Sequence, residues 1–104
     1  MALEITDGNY EMIAATDSLL VIDFYAQWCG PCKTLSPVID DLAKEYEGKA
    51  IIGKVDADEN TDIVAKFGIR NLPTILFIKD GNVVDKALGA VPKQDLIEKI
   101  NNNL

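Results

Sequence analysis

The chain has 104 residues, 48% hydrophobic and 26% charged, which is one ordinary domain with enough apolar side chains to build a core. That balance excludes a disordered tail, a collagen-like fibre and a disulfide-dense mini-scaffold. Seventeen acids against ten bases and no histidine give a net charge of -7, a field that repels phosphate backbones and argues against nucleic-acid binding.

The opening MALEITDG is neither basic nor continuously apolar, and the first cation is Lys33. No secretory signal is therefore read, and the expected location is cytoplasmic. No stretch reaches the roughly 18 apolar residues of a spanning helix, so no membrane contact is expected. Without repeats or linkers, residues 1–104 read as a single domain. Leu3–Ile5 suits a short strand, and Thr6 or Asp7 can cap a helix over about Asn9–Ala15. Leu19–Tyr25 (LLVIDFY) is apolar or aromatic except at Asp23, the pattern of a strand buried on both faces. After the loop AQWCGP, apolar residues at Leu35, Val38, Ile39, Leu42 and Tyr46 recur at helical spacing from about Cys32 onward. Pro37 falls inside this helix and predicts a kink; Gly48 closes it. Ala50–Asp56 is the next strand, and Asn60 or Thr61 caps a short helix over Asp62–Phe67. Thr74–Lys79 and Val83–Leu88 flank a tight Asp80-Gly81-Asn82 turn, and a last helix starts at Pro92. The order βαβαβα followed by ββα predicts an α/β fold, a mixed sheet with helices on both faces.

Cys29-Gly30-Pro31-Cys32 lies between a buried strand and a helix start. Two cysteines at this spacing can come within disulfide reach. At the helix head, unpaired N–H groups and the positive end of the dipole favour a Cys29 thiolate. Gly30 and Pro31 shape the turn, and Cys32 would be the more buried, resolving thiol. Half of a zinc site is the competing reading, but no other cysteine and no histidine can complete it. A structural disulfide closing so short a loop would constrain the unfolded chain little. Redox chemistry is the preferred reading, and no metal is expected.

Asp23 in a buried strand is costly when charged, so its pKa is expected to rise and make it a proton acceptor for Cys32. The alternative is an acid pointing outward at a strand end. Lys54 interrupts the next strand and could pair with Asp23 or stand exposed. Pro73, in Asn71-Leu72-Pro73-Thr74, reads from sequence as a trans entry to a strand. Trp28, the only tryptophan, is expected on a loop beside Cys29 as a contact surface.

WCGPCK, preceded by DFYA and followed by LSP, is similar to the active-site segment of the thioredoxin family. KVDADEN, FGIRNLPT, FIKDG and LGA extend the resemblance along almost the whole chain. The resemblance implies a thioredoxin fold: a mixed five-stranded β-sheet, order 1-3-2-4-5, sandwiched by four helices. It implies Cys29 as nucleophile, Cys32 as resolving thiol, Asp23 as buried acid with Lys54 beside it, and Pro73 as a cis-proline facing the disulfide. Trp28, Gly30, Pro31, Thr74, Gly89 and Ala90 would surround a shallow groove for protein substrates. The implied activity is reduction of protein disulfides, with no bound cofactor and with re-reduction by an NADPH-dependent thioredoxin reductase. Monomer is the default expectation. An oxidant or isomerase of the same fold, and a binding subunit that does not use its thiols, are the rival readings.

Overall fold

A computed structural model describes all 104 residues, Met1–Leu104. The elements follow in the order β1 (Leu3–Glu4), α1 (Tyr10–Ala14), β2 (Leu19–Tyr25), α2 (Gly30–Glu45), β3 (Ala50–Asp56), α3 (Thr61–Phe67), β4 (Thr74–Lys79), β5 (Asn82–Leu88) and α4 (Lys93–Asn103). The five strands form one sheet ordered β1-β3-β2-β4-β5, as the resemblance implied. Strands β1, β3 and β2 run parallel, while β4 is antiparallel to both β2 and β5. Gly53 lets the edge strand approach, since a Cβ there would meet the Leu3 carbonyl oxygen at 2.8 Å.

Alternation along β2 divides its side chains between two cores. Leu19 and Val21 join Leu35, Ile39 and Leu42 of α2 and Leu96 and Ile100 of α4 on one face. Leu20, Ile22 and Phe24 join Tyr10 of α1 and Ile63 of α3 on the other. Each such fully buried apolar side chain contributes about 1.5–3 kcal/mol relative to exposure, so both helical layers are anchored to the central strand. Asp23 follows Leu19 and Val21 in the same alternation and therefore points beneath α2.

Local chemistry explains where boundaries differ from expectation. Thr6 and Asn9 cap one another: Asn9 N–H donates to Thr6 Oγ1 at 3.2 Å and Thr6 N–H to Asn9 Oδ1 at 2.7 Å. Asp7 serves α3 instead, its carboxylate accepting from Asp62 N–H (3.2 Å) and Ile63 N–H (2.9 Å). Neither Asn60 nor Thr61 supplies that cap; Asn60 accepts from Asp7 N–H at 2.9 Å. The β4–β5 turn is the two-residue Asp80-Gly81, both at positive φ, with Asn82 already paired to Lys79. Pro92 precedes α4 in an extended conformation rather than opening it. Helix α2 runs unbroken past Pro37. No helix is long and apolar enough to cross a membrane.

Candidate active site

Strand β2 delivers the chain directly to the cysteines. Cys29 N–H donates to the Ala26 carbonyl at 3.2 Å, folding the loop back over the strand end. Helix α2 then begins at Gly30, earlier than the expected Cys32, because Pro31 sits in the first turn where no N–H is needed. Cys29 is the N-cap, and its Sγ accepts from Cys32 N–H at 3.3 Å. A backbone donor and the positive helix end are thus aimed at this sulfur, the arrangement that stabilises a thiolate once the pair is reduced. Cys29 and Cys32 are joined in a disulfide with their Cα atoms 5.3 Å apart. Both are buried, Cys29 at 4% and Cys32 at 2% exposure, in a small cluster with Ala26 against which Tyr25 and Leu72 pack.

Beneath the pair, Asp23 is 1% exposed and neither carboxylate oxygen has a hydrogen-bond partner. The outward-pointing alternative is therefore wrong. Burial pushes its pKa up from 3.8 to about 7; Lys54 pulls it down and Asp40 pushes it up, both more weakly. Lys54 stands beside Asp23 in the β2–β3 register, yet it does not pair with it. Its Nζ instead reaches Asp40 Oδ1 at 3.0 Å and donates to Ser36 Oγ. Asp23, Cys32, Ser36, Asp40 and Lys54 all line one cavity of about 210 Å³, which opens beside the N-terminal segment.

The surroundings divide into surface and support. Trp28 is 71% exposed, with its indole N–H held by Asp58 Oδ2 at 2.9 Å. Gly30, Pro31 and Ala90 are also exposed. The Leu72–Pro73 bond is cis, as the resemblance implied and against the trans reading from the residues alone. Pro73 is buried, and its carbonyl accepts from Gly89 N–H at 2.9 Å. Gly89 adopts φ 83°, a left-handed conformation natural to glycine. Thr74 is buried too, its hydroxyl spent on the Asn71 carbonyl at 2.6 Å. Ser36, Asp40, Asp58 and Leu72 were not singled out from sequence. For the first two a signal existed, since Cys32, Ser36 and Asp40 recur every four residues along one face of α2.

No group of three or more histidine, cysteine or carboxylate side chains is placed to hold a metal ion. The chemistry is that of a dithiol that closes to a disulfide at a helix head, above a buried carboxylate. On this sheet, that defines a thiol–disulfide oxidoreductase. The family model for Thioredoxin matches residues 1–102. The chain is 49% identical over 102 residues to "Thioredoxin" of Chlorobaculum thiosulfatiphilum, covering 97% of this chain and 94% of that protein. It is 43% identical over 103 residues to "Thioredoxin" of Haemophilus influenzae, covering 98% and 96%. It is 46% identical over 97 residues to "Thioredoxin M-type, chloroplastic" of Pisum sativum, covering 92% of this chain and 56% of that one. The chain belongs to the thioredoxin family. It is a protein-disulfide reductase, an electron carrier served by an NADPH-dependent thioredoxin reductase.

Proposed function

We propose that the two thiols have fixed and different roles in reducing a partner protein's disulfide. The Cys29 thiolate attacks one sulfur of that disulfide, forming a Cys29–substrate bond while the other substrate sulfur leaves and takes up a proton. Asp23 accepts the proton of Cys32, and the Cys32 thiolate attacks Cys29 Sγ. The Cys29–Cys32 bond forms, the second substrate sulfur leaves, and two electrons have passed to the substrate. The observation that carries this order is the capping contact: the donor from the helix head reaches Cys29, not Cys32.

Trp28, Gly30, Pro31 and Ala90 with the chain around Pro73, Thr74 and Gly89 form the surface on which the substrate strand rests. Lys54 tempers the Asp23 carboxyl from the neighbouring strand. The thiol pair carries both electrons, so the reaction calls for no bound cofactor. We further read the chain as a single-domain, cytoplasmic monomer without nucleic-acid or membrane partners, which suits its net charge of -7.

Trapping tests the assignment. Cys32→Ser will accumulate a mixed disulfide with a disulfide-containing protein, visible as a reductant-sensitive band on a gel, whereas Cys29→Ser will not. Accumulation in the Cys29→Ser variant alone would reverse the roles. Absence of any adduct in either variant would remove the thiols from the function.

A further inference from the structure

The cavity under the disulfide contains a charge arrangement that the reductase chemistry does not by itself explain. Asp23 and Lys54 are register partners on adjacent parallel strands, both on the α2 side of the sheet. An acid and a lysine so placed would ordinarily pair, because a buried carboxylate without a partner is costly. Here the ammonium is turned away. Asp40 Oδ1 receives it at 3.0 Å and Ser36 Oγ accepts a hydrogen bond from it, while both Asp23 oxygens stay unpartnered. The clamp is itself anchored, since Asp40 Oδ1 also accepts from Ala2 N–H at 3.0 Å. Ser36 and Asp40 lie four and eight residues beyond Cys32, so one helix face carries the resolving thiol and both groups that hold the lysine.

We propose that Ser36 and Asp40 are positioning residues that hold the Lys54 ammonium off Asp23, leaving that carboxylate free to receive the Cys32 proton. The inference rests on the reading of Asp23 as proton acceptor given above. It accounts for three facts together: an unpartnered acid, a lysine next to it in register, and a lysine bound elsewhere. The charged and titratable groups around Asp23 are few. Lys54 faces it from β3, and Cys32, Lys33 and Asp40 from α2; Tyr25 follows on its own strand, and Glu4 and the chain's amino terminus come from the segment at the cavity mouth. Strand β4 contributes only the apolar Ile75 opposite Asp23. Among these, Lys54 is the one cation whose side chain is drawn off by identified partners on α2.

Freeing the lysine has a definite sign. In Asp40→Asn the amide oxygen can still accept from Ala2, but the charge that holds Lys54 is gone. Lys54 then turns to Asp23 and the direct repulsion from Asp40 disappears, so both changes favour the ionised carboxylate. The measurement is the pH dependence of mixed-disulfide resolution, followed by stopped flow. It is paired with titration of the Asp23 carboxyl carbon by NMR in the oxidised protein, where neither cysteine ionises. Asp40→Asn is expected to move the Asp23-dependent limb down by roughly one pH unit or more. Ser36→Ala moves it down by less, Lys54→Met moves it up, and Asp40→Glu leaves it near the wild-type position. In a Lys54→Met background the Asp40→Asn shift should fall to less than half its size, because it acts mainly through the lysine. An undiminished shift in that background, or no shift in Asp40→Asn and Ser36→Ala, would overturn the clamp. Asp23→Asn separates the two levels of the argument: if it leaves the limb intact, Asp23 is not the proton acceptor. If it abolishes the limb while the Asp40 and Ser36 variants do not move it, only the clamp fails.

Discussion

Asp23 combines an ionisable side chain with almost complete burial. A carboxylate 1% exposed and without a hydrogen-bond partner is tolerated only because it spends much of its time protonated. Burial raises its pKa from 3.8 to about 7, so the folded state binds a proton that the unfolded chain has already released across that interval. The contribution to stability is whole below about pH 4, is lost as pH rises from there through about 7, and stays lost above. Asp23→Asn, which cannot ionise, should therefore be more stable than wild type at pH 8 by roughly 2–4 kcal/mol, and close to it at pH 4. Urea denaturation of the oxidised proteins at the two pH values reads this directly. An equal difference at both would mean that the charge is not what costs stability. The residue kept at that cost lines the same cavity as Cys32, as its proposed role of proton acceptor calls for.

Among the elements, α3 depends on a borrowed cap. Helix α3 has seven residues, too few to be stable alone, and its first N–H groups are satisfied by Asp7 from the far end of the chain. Asp7→Ala should cost about 1 kcal/mol, seen as a lower urea midpoint with an unchanged slope. An unchanged midpoint would show that water serves those groups equally well. This cap also marks a limit of sequence reading. Strands β2, β3 and β4 were legible to the residue because their runs are apolar or aromatic but for single charges such as Asp23 and Lys54, and both faces are covered. Asp7 was legible as a capping residue but was assigned to α1, since its true helix lies more than fifty positions away and only the tertiary fold brings them together. The same limit hid Asp58 behind Trp28 and Asp40 behind Lys54. The CxxC and the acid in β2 could be read because each violates its local pattern; a lysine's choice between two acids is decided by the packing of α2 against β3. The cis bond before Pro73 followed from likeness to a family and not from any local preference, which favours trans.

The whole molecule frames one local event, the making and breaking of one sulfur–sulfur bond. The central strand is anchored by helices on both faces, it ends at the cysteine loop, and α2 leaves that loop with its dipole on Cys29. A pair that gives electrons away has a low reduction potential. The decisive experiment determines the reduction potential of Cys29–Cys32, equilibrated against dithiothreitol and glutathione buffers and followed by Trp28 emission. A donor of electrons should lie clearly below the cytosolic glutathione poise, about -220 to -260 mV. A value near about -180 to -120 mV, where isomerases and oxidants lie, would contradict it.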